Sequence, residues 1–492
     1  MKKMDTNGAT WDSLFLTFAK ALTVLFSFAI SKIMSIGLSL TEYGTYSQVN
    51  LIVSMGSSLI LLGFGDGINY YFNRKNKEGR DLRIKIINTI FFLELVAGII
   101  LSLIIIIFRE WVASYFSNNL LHSLLVVAAP LPVFANLISF YQIMYVSSGK
   151  AKLMSLCNLV LMALKIISVY IAVYVLHDIL WIFVVLLVLD LIQILVFNAI
   201  LARKDIRITP FKISVKHIRP ILAYSLPMGV YALTNMLNRD IDKLVIGRLA
   251  GTEALAIYTN CSKILPFDFL ATSFATVLIP YIVKFVTEKD KAQTIKLFSS
   301  YIKIGYYSVW ILGAAVLIAP ESIIRLLYAE EYTVGLNIFV IYVIDSMLRF
   351  ASMHLILTAA NKTRKLMSFS LLSLGLNLIL NILFYYLFGM IGPAIATLIV
   401  SIVYTLLVLS ETIRTINIQW KDVFNIKEVS CLLISLGILG IGARGLNSVF
   451  ILEGMNRYLS MILSMFLFGC VCLALHFKKI FAVLKEINSF RL

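Results

Sequence analysis

The densest group of charged residues within an apolar stretch of the chain is Arg239-Asp240-Ile241-Asp242-Lys243. Charged side chains at membrane depth are costly, and they usually face a protein interior or a water-filled cavity. On a helix, Arg239 with Asp242 and Asp240 with Lys243 are spaced i,i+3, so each pair can neutralise its charges locally. Arg239 and Lys243 are spaced i,i+4, which costs energy unless an anion lies between them. The cluster could therefore be a ladder of structural ion pairs or a binding site for an anion.

Basic residues in apolar stretches could bind an anionic group within a membrane, because cations bind groups such as phosphate by charge-assisted hydrogen bonds. Lys20 and Lys32 lie towards opposite ends of the first apolar stretch, and either could instead place its amine at an interface. Arg349 could instead form a private pair with Asp345, four residues earlier. The predicted substrate-binding residues are Lys20, Lys32, Arg239, Lys243, Lys263 and Arg349.

Coupling of transport to protons or sodium ions would require an acidic side chain whose charge or coordination changes between two states. The predicted coupling residues are Asp66, Glu94, Asp240 and Asp345. The sequence lacks the Gly-x-x-x-x-Gly-Lys-Ser/Thr, Gly-x-Ser-x-Gly and His-Glu-x-x-His patterns, and its five histidines are dispersed. We therefore predict no catalytic residue, no metal site and no cofactor apart from a coupling H⁺ or Na⁺.

The elements that must position these residues are membrane helices. Of 492 residues, 60% are hydrophobic and 14% are charged, with a mean hydropathy of +0.91, whereas soluble domains are about 45–50% apolar and about 25% charged. A helix needs about 20 apolar residues to cross a bilayer. We predict an all-α integral membrane protein with fourteen spans, over residues 14–38, 46–72, 84–108, 120–147, 153–176, 180–201, 221–247, 254–283, 298–319, 334–360, 366–388, 391–409, 429–443 and 458–477.

The net charge of +17 is distributed as membrane topology requires, so it does not indicate nucleic-acid binding. Basic residues are concentrated in alternate loops, such as residues 74–85, 203–219 and 284–296, while the opposite loops carry single arginines such as Arg109 and Arg325. Cytoplasmic loops carry the excess of Lys and Arg. Both termini are therefore predicted to be cytoplasmic, in a multi-pass protein of the bacterial cytoplasmic (inner) membrane.

The second part of the chain repeats the first at an offset of about 212 residues. Because six helices return the chain to the same side, the copies are predicted to be parallel repeats around an axis along the membrane normal, with a site between them. The predicted divisions are an N-lobe over residues 1–202, a linker over 203–219, a C-lobe over 220–413, and two further helices with a basic tail over 414–492. The matched positions are Thr41-Glu42 with Thr252-Glu253, Tyr46 with Tyr258, Glu110 with Glu321, and Lys152–Ser155 with Lys365–Ser368.

This order of features resembles the multidrug/oligosaccharidyl-lipid/polysaccharide exporter superfamily, and within it the polysaccharide flippases of the Wzx type. Ala256 and Ala329 stand where members of the family often have Gly, which affects turn geometry rather than chemistry. The segments that carry the resemblance are Tyr224-Ser225-Leu226-Pro227, Asp242-Lys243-Leu244-Val245-Ile246-Gly247, Leu249-Ala250-Gly251, Ile257-Tyr258, Glu42-Tyr43-Gly44-Thr45-Tyr46 and Ala329-Glu330-Glu331-Tyr332.

The resemblance implies a MATE-like fold with two six-helix lobes around a central cavity, two C-terminal helices outside it, and a lipid-diphosphate-linked sugar as cargo. We predict a flippase that moves polyprenyl-diphosphate-linked oligosaccharide by alternating access for cell-surface polysaccharide biosynthesis. Its predicted partners are this cargo, membrane lipids and other polysaccharide-assembly membrane proteins, and it would act as a monomer. The alternatives are a multidrug exporter with an acidic or aromatic cavity, a lipid II-type flippase, and a membrane polysaccharide polymerase or ligase. The short predicted outer loops argue against the enzyme.

Overall fold

The computed structural model describes residues 6–61, 64, 68, 80–148, 150–202, 208–263, 278, 281–351 and 353–489. Regular structure in these residues is helical throughout, which confirms the predicted all-α class. By its contacts the chain forms two compact units, Met1–Ala256 and Ile257–Leu492. The first unit includes the helix Val215–Leu249, which the sequence analysis assigned to the second lobe. The lobe boundaries at residues 202 and 220 stay a prediction.

In chain order the helices of the first unit are α1 (Thr6–Gly37), α2 (Leu40–Leu61), α3 (Arg80–Ile107), α4 (Arg109–Tyr115), α5 (Leu120–Ala128), α6 (Leu131–Ser147), α7 (Ala151–Tyr174), α8 (Ile179–Ala202) and α9 (Val215–Leu249). Helix α9 packs against α2 and α3, α1 packs against α7, and α8 packs against both α6 and α7. The next helix, α10 (Thr252–Cys261), crosses the boundary between the units.

The helices of the second unit are α11 (Lys291–Val316), α12 (Pro320–Leu327), α13 (Leu336–Leu348), α14 (Leu355–Ala359), α15 (Thr363–Phe388), α16 (Gly392–Ile416), α17 (Trp420–Val423), α18 (Ile426–Leu452) and α19 (Arg457–Ser489). Helix α15 packs along α16, and α11 packs against α13, α18 and α19.

Local sequence explains several of the ends of these helices. Asp290 caps the start of α11 by accepting a hydrogen bond from the backbone N–H of Gln293 at 3.1 Å. Asn425 caps the start of α18 in the same way. Helix α16 ends at Ile416 and is followed by Asn417, which adopts the left-handed conformation (φ 50°) that asparagine tolerates better than most residues.

Eight segments of the described residues are long and apolar enough to cross a membrane, or nine if one bent pair of helices counts as a single span. The predicted spans 84–108, 120–147, 153–176 and 180–201 each coincide with one of them to within a few residues. A further segment, Thr363–Ile416, contains both α15 and α16. The chain is therefore a multi-pass membrane protein, and the count of fourteen stays a prediction.

Some predicted spans differ from the helices observed. The span 298–319 ends early, because α11 stops at Val316 and α12 then turns by 82° from its direction. Helix α12 begins with Pro320, whose fixed φ and missing N–H suit a first helical turn. The thirteenth span, predicted as a short segment over 429–443, is in fact the 27-residue helix α18. Its glycines did not break the helix.

The residues matched by the internal repeat occupy equivalent places in the fold. Thr41-Glu42 and Thr252-Glu253 lie in the first turns of α2 and α10, and Glu110 and Glu321 lie in the first turns of α4 and α12. Two of these matched positions also contact each other, since Thr41 Oγ1 donates a hydrogen bond to Glu253 Oε1 at 2.8 Å. The start of α10 is thereby held against the start of α2.

Gly44 of α2 packs directly against Thr252 at the start of α10. A Cβ on Gly44 would lie 2.0 Å from the backbone carbonyl oxygen of Thr252. Overpacking of this kind costs about 1–3 kcal/mol, which exceeds the roughly 1 kcal/mol that Ala gains over Gly in a helix. We expect Gly44→Ala to lower the midpoint of thermal unfolding of the purified protein in detergent. Gly375→Ala in α15, where a Cβ meets open space, is the matched control and should not lower it; an unchanged midpoint for Gly44→Ala would contradict the packing described.

Candidate functional site

Asp240 lies between the two cations of the charged cluster on α9. Its Oδ2 accepts hydrogen bonds from Nε and Nη2 of Arg239, both at 3.3 Å, and its Oδ1 accepts one from Nζ of Lys243. The predicted i,i+3 pair of Asp240 with Lys243 is therefore confirmed. The carboxylate of Asp240 supplies the anion that two cations spaced i,i+4 require.

The cluster exposes its arginine and buries its acids. The side chain of Arg239 is 57% exposed, whereas that of Asp240 is 10% exposed and Asp242 is also buried. Arg239 is ten residues before the last residue of α9, Leu249, which corresponds to about 15 Å along the helix at 1.5 Å per residue. An exposed guanidinium therefore lies within α9 rather than at its end.

Arg349 forms the private ion pair that its spacing predicted. Its Nη2 lies 2.7 Å from Oδ2 of Asp345 on α13, and Nη2 also donates a hydrogen bond to Ser401 Oγ on α16 at 3.1 Å. The arginine side chain is 40% exposed and that of the aspartate is 1% exposed. The second unit thus repeats the arrangement on α9, with an accessible cation above a buried carboxylate.

The remaining predicted cations are Lys20, Lys32 and Lys263. Lys32 is half-buried in α1, and Lys263 is half-buried just after α10. Lys20 belongs to α1, but its side chain lies outside the described part of the chain. Of the six predicted cations, Arg239 and Lys243 are brought together on one carboxylate. A single cavity lined by all six stays a prediction.

The four predicted coupling acids have different surroundings. Asp240 and Asp345 are paired with cations, as described above. Glu94 in the middle of α3 is 2% exposed, and its Oε2 has no hydrogen-bond partner among the residues the structure describes. A buried carboxylate without a cation carries a large desolvation cost when ionised, so Glu94 has the surroundings of a group that binds a proton. Asp66 lies outside the described residues.

A polar site inside the first unit was not predicted. Lys165 of α7 donates a hydrogen bond to Oδ1 of Asp190 on α8 at 2.7 Å, and nearby Gln193 donates one to Asn158 at 2.9 Å. The side chains of Lys165 and Asp190 are 19% and 11% exposed. These four residues line a cavity of about 320 Å³, together with residues of α1 and α6 such as Gln142. The cavity is large enough to admit several water molecules.

The sequence contained a signal for this pair. Spacing within a single helix gives neither Lys165 nor Asp190 a partner. The turn between α7 and α8 contains His177, and Lys165 lies 177 − 165 = 12 residues before it while Asp190 lies 190 − 177 = 13 residues after it. In two antiparallel helices joined by a short turn, residues at nearly equal distances from the turn lie side by side.

Residues 33–336, more than half of the chain, match the protein family described as "Polysaccharide biosynthesis protein". The chain belongs to this family. Over 201 residues it is 23% identical to the probable low-salt glycan biosynthesis flippase Agl15 of Haloferax volcanii, a match that covers 40% of this chain. The same match covers only 42% of the length of that flippase.

The fold of this family member is similar to those of solved transporters. A structure of the lipid II flippase MurJ in an inward closed conformation has a TM-score of 0.73 at 14% identity, covering 96% of this chain and 100% of that one. An inward-facing multidrug resistance MATE family transporter of the MOP superfamily has a TM-score of 0.63 at 16% identity, covering 80% and 94%. A MOP superfamily transporter from Pyrococcus furiosus has a TM-score of 0.57 at 14% identity, covering 82% and 94%.

These comparisons confirm the resemblance stated from the sequence and the MATE-like fold class. The proteins matched are flippases and transporters by name, which agrees with the prediction that this family member is not an enzyme.

The Lys165–Asp190 pair generates a prediction for stability. Replacing one partner leaves the other charge buried and unpaired, which destabilises proteins by about 3–5 kcal/mol, whereas replacing both with apolar groups of similar volume is often nearly neutral. We expect Lys165→Met and Asp190→Leu each to lower the free energy of unfolding, measured by denaturant titration of the purified protein in micelles. The double variant should be more stable than either single variant. A double variant that loses the sum of the two single effects would show that the charges do not interact.

Proposed function

We propose that this protein is a flippase that moves polyprenyl-diphosphate-linked oligosaccharide across the bacterial cytoplasmic membrane by alternating access. Membership of the polysaccharide biosynthesis protein family supports this proposal, as does the partial match to a glycan biosynthesis flippase. The concentration of basic residues in alternate loops supports cytoplasmic termini. The observation that carries the choice of cargo is the polarity of the ion pairs.

In the ion pairs at the predicted site, the cation is the accessible partner. Arg239 is 57% exposed against 10% for Asp240, and Arg349 is 40% exposed against 1% for Asp345. A cargo that approaches these pairs therefore meets guanidinium groups before it meets carboxylates. Guanidinium is a planar group with five N–H donors and binds phosphate oxygens in a bidentate manner.

This polarity favours an anionic cargo over a cationic drug. The diphosphate of a lipid-linked sugar must leave water to cross the membrane, and fixed cations within the membrane replace part of its lost hydration. A multidrug exporter of cations would need the opposite arrangement, in which acids are accessible and bases are buried. Each buried acid holds its arginine in place. The exposed N–H groups of the arginine remain available to the diphosphate.

A transport assay tests the choice of cargo. We expect Arg239→Gln in proteoliposomes to reduce the rate of movement of a polyprenyl-diphosphate-linked oligosaccharide at least tenfold, because one hydrogen bond to a charged group is worth about 1.5–3 kcal/mol. Movement would be measured as the fraction of labelled cargo that becomes accessible to a membrane-impermeant reagent. Arg239→Lys should keep part of the activity, because it retains the charge but loses the bidentate geometry.

Arg444→Gln provides the matched control, because Arg444 is an exposed arginine on α18 and belongs to neither ion pair. It should transport at the wild-type rate. Full activity of Arg239→Gln would remove the support for an anionic cargo. Transport of cationic dyes in place of the lipid-linked sugar would favour the multidrug exporter, and exclusive transport of lipid II would assign the protein that cargo.

We further propose that Glu94 couples transport to a proton gradient. Among the predicted acids with described surroundings, it is the one buried without a cation in the described part of the protein. A carboxyl group in such surroundings binds a proton readily when the conformation changes its access to water. Its neighbours in the chain, Leu93 and Leu95, pack against the hydrophobic cluster that contains Phe91 and Phe140.

Replacing Glu94 with Gln keeps its volume and removes its titration. We expect Glu94→Gln to abolish the stimulation of transport by an imposed pH gradient and to leave movement without a gradient within about threefold of wild type. The measurement is the initial transport rate in proteoliposomes with and without the gradient. Glu453→Gln, at an exposed position after α18, should retain the stimulation. Stimulation that persists in Glu94→Gln would exclude Glu94 as the coupling acid.

A further inference from the structure

A cavity of about 740 Å³ opens at one end of the second unit, between α11, α18 and α19. Helices α11 and α18 begin beside the cavity, and α19 ends beside it. These three helix ends therefore lie on the same side of the membrane. This is the side of the basic loops. Five lysines and two glutamates line the cavity, and the lysines are Lys296, Lys303, Lys427, Lys479 and Lys485.

The two glutamates of this cavity are already engaged by α11. Glu428 accepts a hydrogen bond from the hydroxyl of Tyr307 at 2.8 Å and lies 3.9 Å from Nζ of Lys303. Glu486 accepts one from the hydroxyl of Ser300 at 2.7 Å and lies 4.0 Å from Nζ of Lys296. These contacts attach α18 and α19 to α11. They also pair both carboxylates of the cavity with side chains of α11.

Three lysines then remain around the same space. Lys427, Lys479 and Lys485 are exposed, and no carboxylate of the described residues lies within 4.0 Å of their amines. The lining carries five positive and two negative charges, a net of 5 − 2 = +3. Like charges that share a cavity repel one another and attract an anion. Lysine ammonium groups are common ligands of phosphate.

The surface next to the cavity indicates what carries the phosphate. Phe477, Phe481 and Lys485 follow one another at i,i+4 along α19, so they form one row that leads from the apolar part of the helix to the cavity. The rings of Phe477 and Phe481 stack with centroids 6.0 Å apart and are 61% and 59% exposed. An apolar row ending in lysines matches an acyl chain joined to an anionic headgroup. Basic pockets between membrane helices bind such headgroups.

We propose that this cavity binds the phosphate of an anionic phospholipid from the leaflet on the side of the basic loops. The headgroup phosphate lies among Lys427, Lys479 and Lys485, and an acyl chain lies along Phe477 and Phe481. The bound lipid connects α18 and α19 to α11 and lowers the repulsion between the three lysines. This site is separate from the ion pairs of Arg239 and Arg349 and does not depend on the identity of the transported cargo.

The test uses the purified full-length protein in a neutral detergent and phosphatidylglycerol as the probe. We expect phosphatidylglycerol to raise the midpoint of thermal unfolding in a saturable manner, and phosphatidylcholine at the same concentration to have little effect. The variant Lys427→Gln/Lys479→Gln/Lys485→Gln should need at least tenfold more phosphatidylglycerol for half of the maximal shift. Native mass spectrometry of the same samples should count fewer bound phosphatidylglycerol molecules on this variant.

The control variant is Lys284→Gln/Lys289→Gln/Lys291→Gln, which removes three exposed lysines that precede α11 or begin it and that do not line the cavity. It should respond to phosphatidylglycerol within twofold of wild type. Equal shifts with the two lipids, or an unchanged response of the cavity variant, would overturn the proposal. Inorganic pyrophosphate that produces the full shift without lipid would also overturn it, because the apolar row would then contribute nothing.

Discussion

A charge inside the hydrocarbon region of a membrane must be neutralised close to where it lies, and the described helices meet this constraint with short ion pairs. Lys243 and Arg239 share Asp240 within one turn of α9. Lys165 and Asp190 meet across two neighbouring helices at 2.7 Å. Removing either partner of such a pair leaves a buried charge whose desolvation is no longer offset. The Lys165–Asp190 pair therefore constrains α7 and α8 to remain together.

The same constraint explains which parts of the site the sequence could predict. The pairs Asp240–Lys243 and Asp345–Arg349 depend only on the 3.6-residue period of one helix, so spacing is sufficient to predict them. The Lys165–Asp190 pair depends on how two helices are aligned by the turn around His177, and spacing within one helix does not contain that information. The burial of a side chain such as Glu94 depends on the packing of several helices. The periodicity of one segment therefore does not predict it.

The fold shows the same difference between local and non-local information. Long apolar segments such as α7 and α8 were placed to within a few residues, because backbone polar groups in a bilayer must be satisfied by continuous helix. That rule also explains why Gly-rich α18 runs for 27 residues, although its composition suggested a short segment. The 82° turn after α11 was missed, because apolar content alone does not show where a helix changes direction.

The exposure of arginine above a buried aspartate has a geometric component that must be separated from function. Aspartate is short and stays near the helix backbone, while arginine is long and extends its charge away from it, so any such pair tends to expose the base. Arg349 lies immediately after α13 and inside the predicted span 334–360. Arg239 lies within α9, about 15 Å from its last residue. An exposed cation within an apolar segment needs water or an anion beside it, so the two arginines indicate polar, anion-binding surfaces at these positions.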